Sequence, residues 1–176
     1  MTGSRFALGL ALATALSGSA MAQDAVPRVA LHQDWSVFNP TSPLECFVAS
    51  APTSTAASRQ GKPVTVRRDE IRFYISSRPA EQVRNEIAFT GGYPYRDGST
   101  VTVEIGTDTF ELFTEGEWAW PATPEEDTRL ISAMRRGAKA VVTGLSSRGT
   151  TTIDTFSLIG FTAALEDSTA RCFGDS

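Results

Sequence analysis

Chemistry in a protein needs side chains that titrate, attack or ligate, and this chain is sparing with them. Its 176 residues hold one histidine, His32, and two cysteines, Cys46 and Cys172. Asp34 follows His32 by two positions and could orient it as a general base; the plainer reading is an exposed histidine near the mature N-terminus. A metal site built from ordinary His and Cys ligands needs more of both than the chain has to spare, so no metal is expected. Serines are plentiful, but in the run GLSSRG at 144–149 the second glycine comes one place too late for a G-x-S-x-G nucleophile elbow, and the run reads as a turn. Gly91 and Gly92 lead into Tyr93-Pro94-Tyr95 without the lysine or helix of a phosphate-binding loop. Glu125, Glu126 and Asp127 resemble a set of catalytic carboxylates, yet they fall in the first turn of an expected helix, where the macrodipole favours anions. The expectation is therefore a protein that is not an enzyme and takes no cofactor.

Aromatic residues offer the other candidate. Tyr93, Tyr95, Trp118 and Trp120 lie around expected strand ends and form a candidate interaction surface. Trp118 and Trp120 are two apart and share a face of any strand that holds them. Because exposed tryptophan pairs are unusual on soluble proteins, core filling is the expectation for this pair, with a platform for a ligand or partner as the alternative.

The elements that must position these residues follow an export signal. Arg5, an apolar run over 6–16 and the small residues ending Ala20-Met21-Ala22 make residues 1–22 a secretory signal peptide. No later run is long and apolar enough to span a bilayer, so the expected product is a soluble protein of the periplasm or cell surface without a transmembrane segment. In such an oxidising compartment an even pair of cysteines is expected to form a disulfide, here Cys46 to Cys172. The net charge of −4 removes the basic face that a nucleic-acid partner would require.

Residues 23–30 read as a linker and 31–176 as one domain of ordinary size. Alternation places strands at 34–38, 45–49, 71–75, 85–90, 101–105, 109–114 and 117–120, with Ile71, Phe73 and Ile75 on one face. The Ser, Thr, Ala, Pro and Gly content of 50–63 reads as a long mobile loop. Asp97-Gly98 reads as a hairpin turn joining Tyr93 and Tyr95 to Val101, Val103 and Ile105. A helix over about 124–136 has Thr123 as N-cap, Glu126 completing a capping box, Leu130, Ile131 and Met134 as its apolar stripe, and Gly137 in a left-handed closing position. Strands at 138–145 and 151–159 follow, joined by a turn at Arg148-Gly149, and a short helical turn over 160–165 precedes Cys172. The fold expected is mainly β, a single sandwich-like or barrel-like domain with one amphipathic helix and a short C-terminal helical turn.

Several of these segments carry a resemblance. Gly116-Glu117-Trp118-Ala119-Trp120-Pro121, Ala133-Met134-Arg135-Arg136-Gly137-Ala138, Ser147-Arg148-Gly149-Thr150 and, most specifically, Ser157-Leu158-Ile159-Gly160-Phe161-Thr162-Ala163-Ala164 resemble the invasion-associated locus B family of exported alphaproteobacterial proteins. The likeness reaches back through 89–94 to Asp34-Trp35. It implies a small secreted β-rich protein, periplasmic or associated with the outer membrane, in a family that no catalytic motif defines and whose members in pathogens are linked to host-cell entry. Some relatives carry further cysteines before the helix; here none lies between Cys46 and Cys172. The expected function is an exported, non-enzymatic interaction protein that binds a protein or another envelope or host-surface component. The alternative is a small periplasmic enzyme or ligand carrier acting on cell-wall or carbohydrate material.

Overall fold

The computed structural model describes residues 26–174; the expected signal peptide over 1–22, and residues 23–25 of the linker, lie outside the described residues. Twelve strands form a single antiparallel sheet: β1 (Arg28–His32), β2 (Trp35–Phe38), β3 (Cys46–Ser50), β4 (Ser54–Arg59), β5 (Lys62–Pro63), β6 (Arg72–Arg78), β7 (Val83–Thr90), β8 (Thr100–Ile105), β9 (Asp108–Glu115), β10 (Trp118–Trp120), β11 (Lys139–Leu145) and β12 (Thr151–Ser157). Their order across the sheet is β1-β2-β3-β6-β7-β10-β9-β8-β11-β12-β4-β5. Among the described residues two α-helices accompany them, α1 (Pro124–Arg136) and α2 (Phe161–Phe173).

Alternation drives the curling of this sheet. Val37, Val48, Phe73, Ile75, Ile87, Phe89, Val101, Val103, Leu112, Val142 and Phe156 all point to one face and are buried, and covering that face on both sides requires the sheet to fold over itself. Phe156 of β12 meets Phe73 of β6 and Phe89 of β7 edge-on across the interior, with ring centroids 5.6 and 6.0 Å apart. The chain itself completes the closure. β3 pairs with β2 and β6, and after only residues 51–53 it continues as β4, which pairs with β12. A strand that bends and changes partners in this way makes the corner of a barrel-like sheet. The sequence reads 50–63 as a mobile loop; β4 and β5 occupy most of it. Their side chains are small and polar because β4 is nearly at the sheet's edge and buries little, so a hydrophobic signal is missing where a strand is present. The expected linker is likewise shorter, since β1 begins at Arg28 and pairs with β2.

The turn at Asp97-Gly98 forms, with the Ser99 amide donating to the Arg96 carbonyl, but it joins no paired strands. The hairpin partner of β8 is β9, turned through Gly106 and Thr107 with Ile105 opposite Asp108. Tyr95 instead bridges Ser146. α1 keeps its predicted start: the Thr123 hydroxyl accepts from the Glu126 amide, although the Glu126 carboxylate accepts from Ala122 rather than from Thr123. Its end differs from expectation. Gly137 is extended, with φ −84°, and glycine is required there for space, because a Cβ would stand 2.4 Å from Ile105 Cγ2.

The C-terminal turn is also longer than expected, a helix of 13 residues. α2 lies over β1, β2, β3 and β6. Phe161 packs edge-on against Trp35 at 4.9 Å, Ala164 and Leu165 are buried, and Cys172 is bonded to Cys46 of β3. Gly160 makes the junction possible: its φ is +88°, and a Cβ there would approach the His32 carbonyl oxygen to 2.0 Å. Gly160→Ala is expected to lower stability by at least about 1–3 kcal/mol, the cost of a left-handed non-glycine residue, before the clash with β1 is counted; urea unfolding checks it. Among the described residues no helix is long and apolar enough to cross a membrane.

Candidate functional site

The single histidine has a structural partner. His32 Nε2 is 2.8 Å from Asp167 Oδ2, so it ties β1 to α2 instead of pairing with Asp34. Arg171 Nε also donates to Asp167, at 2.6 Å. Burial alone would raise the Asp167 carboxyl, but the hydrogen bonds from His32 and Arg171 hold it below the usual carboxylate range. Among the described residues no three His, Cys, Asp or Glu side chains converge in a way that could hold a metal ion.

The four aromatic residues singled out from the sequence separate into two pairs. Tyr95 is buried, its hydroxyl has no hydrogen-bond partner among the described residues, and burial pushes its pKa far up. Tyr93 packs against it with centroids 5.1 Å apart and is half-buried. Trp118 and Trp120, expected to fill the core, are on the outer face of β10, with the buried Ala119 between them pointing inward. Trp118 is 40% exposed. The strand period explains it: Ala119 takes the inward position of a three-residue strand, and its neighbours must then point out.

These tryptophans belong to a longer row that the sequence reading did not assemble. Phe38 of β2 stacks on Phe47 of β3 at 4.7 Å, and Phe47 reaches Tyr74 of β6 at 6.2 Å. Tyr74 meets Trp118 at 5.8 Å, Trp118 lies 6.5 Å from Trp120, and Trp120 stacks on Phe113 of β9 at 5.5 Å. β7 lies between β6 and β10, and Ala88 occupies its outer position opposite Tyr74. Its small side chain lets the rings from either side meet above it. Six rings from five strands thus form one band on the outside of the sheet. The signal for it was present, since Phe38, Phe47, Tyr74 and Phe113 each alternate with a buried neighbour, but only the strand order brings them together.

One end of the band opens on a cleft of about 380 Å³ lined by Phe113, Trp120, Glu86, Glu115 and Asp127. Asp127 Oδ1 accepts from the Ile87 amide at 2.9 Å. Burial pushes the Asp127 carboxyl up to about 6, opposed by that hydrogen bond and reinforced by Glu86 and Glu126 nearby.

A second, larger cleft of about 530 Å³ lies where the segment 64–71, the residues around Tyr93 and the β11–β12 turn meet. Arg68 lines it and is held from behind in an ion pair. Arg68 donates through Nη1 and Nη2 to the two carboxylate oxygens of Asp154, at 2.7 and 2.6 Å, and through Nε to the Gly91 carbonyl at 2.8 Å. Both partners are buried, and the guanidinium lies 5.1 Å from the centre of the Tyr93 ring. The Tyr93 hydroxyl is hydrogen-bonded to Thr152, 2.5 Å away, and burial raises its pKa. The close approach of the walls depends on Gly92, whose φ is +71° and where a Cβ would stand 2.6 Å from the Asp69 carbonyl oxygen. Around the rim are Arg59, Arg67 and Arg148 with Asp69 and Glu117.

Comparison with known proteins identifies a family. The family model described as invasion associated locus B protein matches residues 42–169, a span that includes the disulfide's first cysteine, both clefts and most of the aromatic band. No curated protein and no solved structure matches the chain.

Proposed function

The chain belongs to the invasion associated locus B family, and from that premise we propose that it is an exported, non-enzymatic binding protein that docks a partner protein of the envelope or cell surface on its outer aromatic band. The observation that carries this reading is the band itself. Aromatic residues dominate the energetics of protein interfaces because each ring covers a large area at little cost in side-chain entropy. Six of them in one row, with Phe113 46% exposed and Trp118 40% exposed, leave an apolar surface that water covers in the free protein.

The carboxylates at one end set the partner's chemistry. Glu86, Glu115 and Asp127 flank Trp120 and Phe113, so the complementary surface presents apolar side chains and, at that end, Lys or Arg, which gain from both the carboxylates and the ring faces. Tyr74→Ala and Trp118→Ala are each expected to weaken partner binding by about ten-fold or more, as central aromatic anchors do, with little change in melting temperature. Crosslinking in intact envelopes followed by pull-down, comparing these variants with the parent protein, checks it. Equal recovery of the same partner by all three proteins would remove the band from the reading.

Asp127 adds a pH dependence. Its carboxyl, pushed up to about 6, is mostly charged at pH 7.5 and mostly neutral at pH 5. A basic partner binds the charged form, so affinity is expected to fall several-fold between those values, and Asp127→Asn to flatten that profile. The same raised pKa works in the opposite sense on folding: the native state holds its proton more tightly than the unfolded chain does. The penalty of ionising Asp127 is therefore relieved as pH drops from about 6 toward 4.

A further inference from the structure

We propose that the arginine-rimmed cleft is a binding site for an anionic sugar, a saccharide that carries a phosphate or carboxylate group. The site stands apart from the aromatic band and uses different residues. Its volume of about 530 Å³ falls within the range of small-molecule sites. Arg68 is neutralised by Asp154 and forms a rigid floor, so the charge available to a ligand is at the rim.

There, among the described residues, several guanidinium donors have no partner. Arg59 is held in place by its Nε and Nη2, which donate to the Thr150 hydroxyl at 3.2 and 2.8 Å, and Nη1 is left over. Among the described residues Arg67 and Arg148 make no ion pair with any carboxylate, although Asp69 and Glu117 line the same cleft. Guanidinium groups that face a shared space without a carboxylate to pair with are suited to bind a ligand's phosphate or carboxylate oxygens through paired N–H donors. Asp69 and Glu117 would repel a simple polyanion, but a carboxylate is a strong acceptor for hydroxyl donors. Tyr93 lines the same cleft and is half-buried, with Arg68 over its ring, and the part of the side chain left open gives an apolar contact for the C–H side of a pyranose. An anion, hydroxyl donors and an apolar edge together describe an acidic or phosphorylated saccharide, free or as the head group of a lipid.

Isothermal titration of the mature protein tests this, with glucose 6-phosphate and glucuronate as ligands, glucose and inorganic phosphate as comparators, and phosphatidylcholine vesicles doped with phosphatidylinositol 4-phosphate as a membrane arm. The anionic sugars are expected to bind saturably, at least about ten-fold tighter than glucose and tighter than inorganic phosphate, and to weaken as salt is added. Combining Arg67→Gln with Arg148→Gln is expected to reduce that affinity about ten-fold or more while leaving the melting temperature unchanged, since both side chains are exposed. Saturation by the soluble sugars assigns a free saccharide as the source, and saturation by the vesicles alone assigns a lipid head group. The proposal is overturned if none of these ligands saturates, if glucose or inorganic phosphate binds as tightly as the anionic sugars, or if the double variant retains full affinity.

Discussion

Asp154→Asn is expected to lower the stability of the protein by about 3–5 kcal/mol. Asparagine matches aspartate in size, so packing is preserved and only the charge is removed. What remains is the Arg68 guanidinium, itself buried, with its two Nη donors facing one carbonyl and one amide in place of two carboxylate oxygens. An uncompensated cation in the interior costs several kcal/mol, and against a typical total of about 5–15 kcal/mol the variant stands near the limit of folding. Arg68→Met is expected to be damaging in the same range, because it leaves the Asp154 carboxylate with no partner. Combining Arg68→Met with Asp154→Leu, which replaces the pair with apolar side chains, is expected to cost much less than either single change. Urea unfolding of the parent, Arg68→Met, Asp154→Leu and the double variant, with unchanged m-values, measures the cycle, and Asp154→Asn is read against the same parent. Near-additive losses in the double variant would mean that the two groups do not compensate each other.

That pair also illustrates what the sequence could and could not reveal. Asp154 shares the buried face of β12 with Thr152 and Phe156, so the strand period puts a carboxylate inside the sheet. Nothing local to it names Arg68, which lies 86 residues earlier in a segment without regular structure. The same division runs through the whole fold. Elements with a strong period or cap, such as β6, β8, β11 and α1, were legible because local residues dictate them. β4 was not, because its small polar side chains carry no pattern and it becomes a strand only by pairing with β12. The glycine break makes α2 look like a single turn in sequence; its further turns are stabilised by burial of Leu165 and by the bond at Cys172.

The candidate sites follow the same logic at longer range. Trp118 and Trp120 were recognisable as a same-face pair, but which face depended on Ala119 entering the core. The band of six rings depended on a strand order, β2-β3-β6-β7-β10-β9, that no periodicity contains. The arginine cleft is assembled from β4, the 64–71 segment and the β11–β12 turn. Its arginines look like solvated charges in sequence, and they become a constellation only when three distant segments meet.

Replacing both Cys46 and Cys172 by serine is expected to cost about 2–5 kcal/mol and to move the whole unfolding transition, not only the C-terminal helix. The bond closes a loop with a sequence separation of 126, which in the chain-entropy model restricts the unfolded state by about 5 kcal/mol at 25 °C. The removal is global because of what α2 covers. Phe161 packs on the fully buried Trp35, whose indole Nε1 donates to the Ser157 carbonyl at the end of β12. α2 therefore shields a point where the two ends of the barrel-like sheet meet, and loosening it exposes β2, β3 and the interior behind them. The other ties of α2 are weaker: His32 with Asp167 and Arg135 with Glu166 are partly or largely exposed pairs, of the kind that contribute at most about 1 kcal/mol each. Urea titration of the double serine variant against the oxidised parent gives the magnitude, and limited proteolysis gives the location. A loss below about 1 kcal/mol, or cleavage confined to α2 with the sheet intact, would show that the bond only tacks down a terminal helix. A single cooperative transition at lower urea would show that the helix and its bond complete the core.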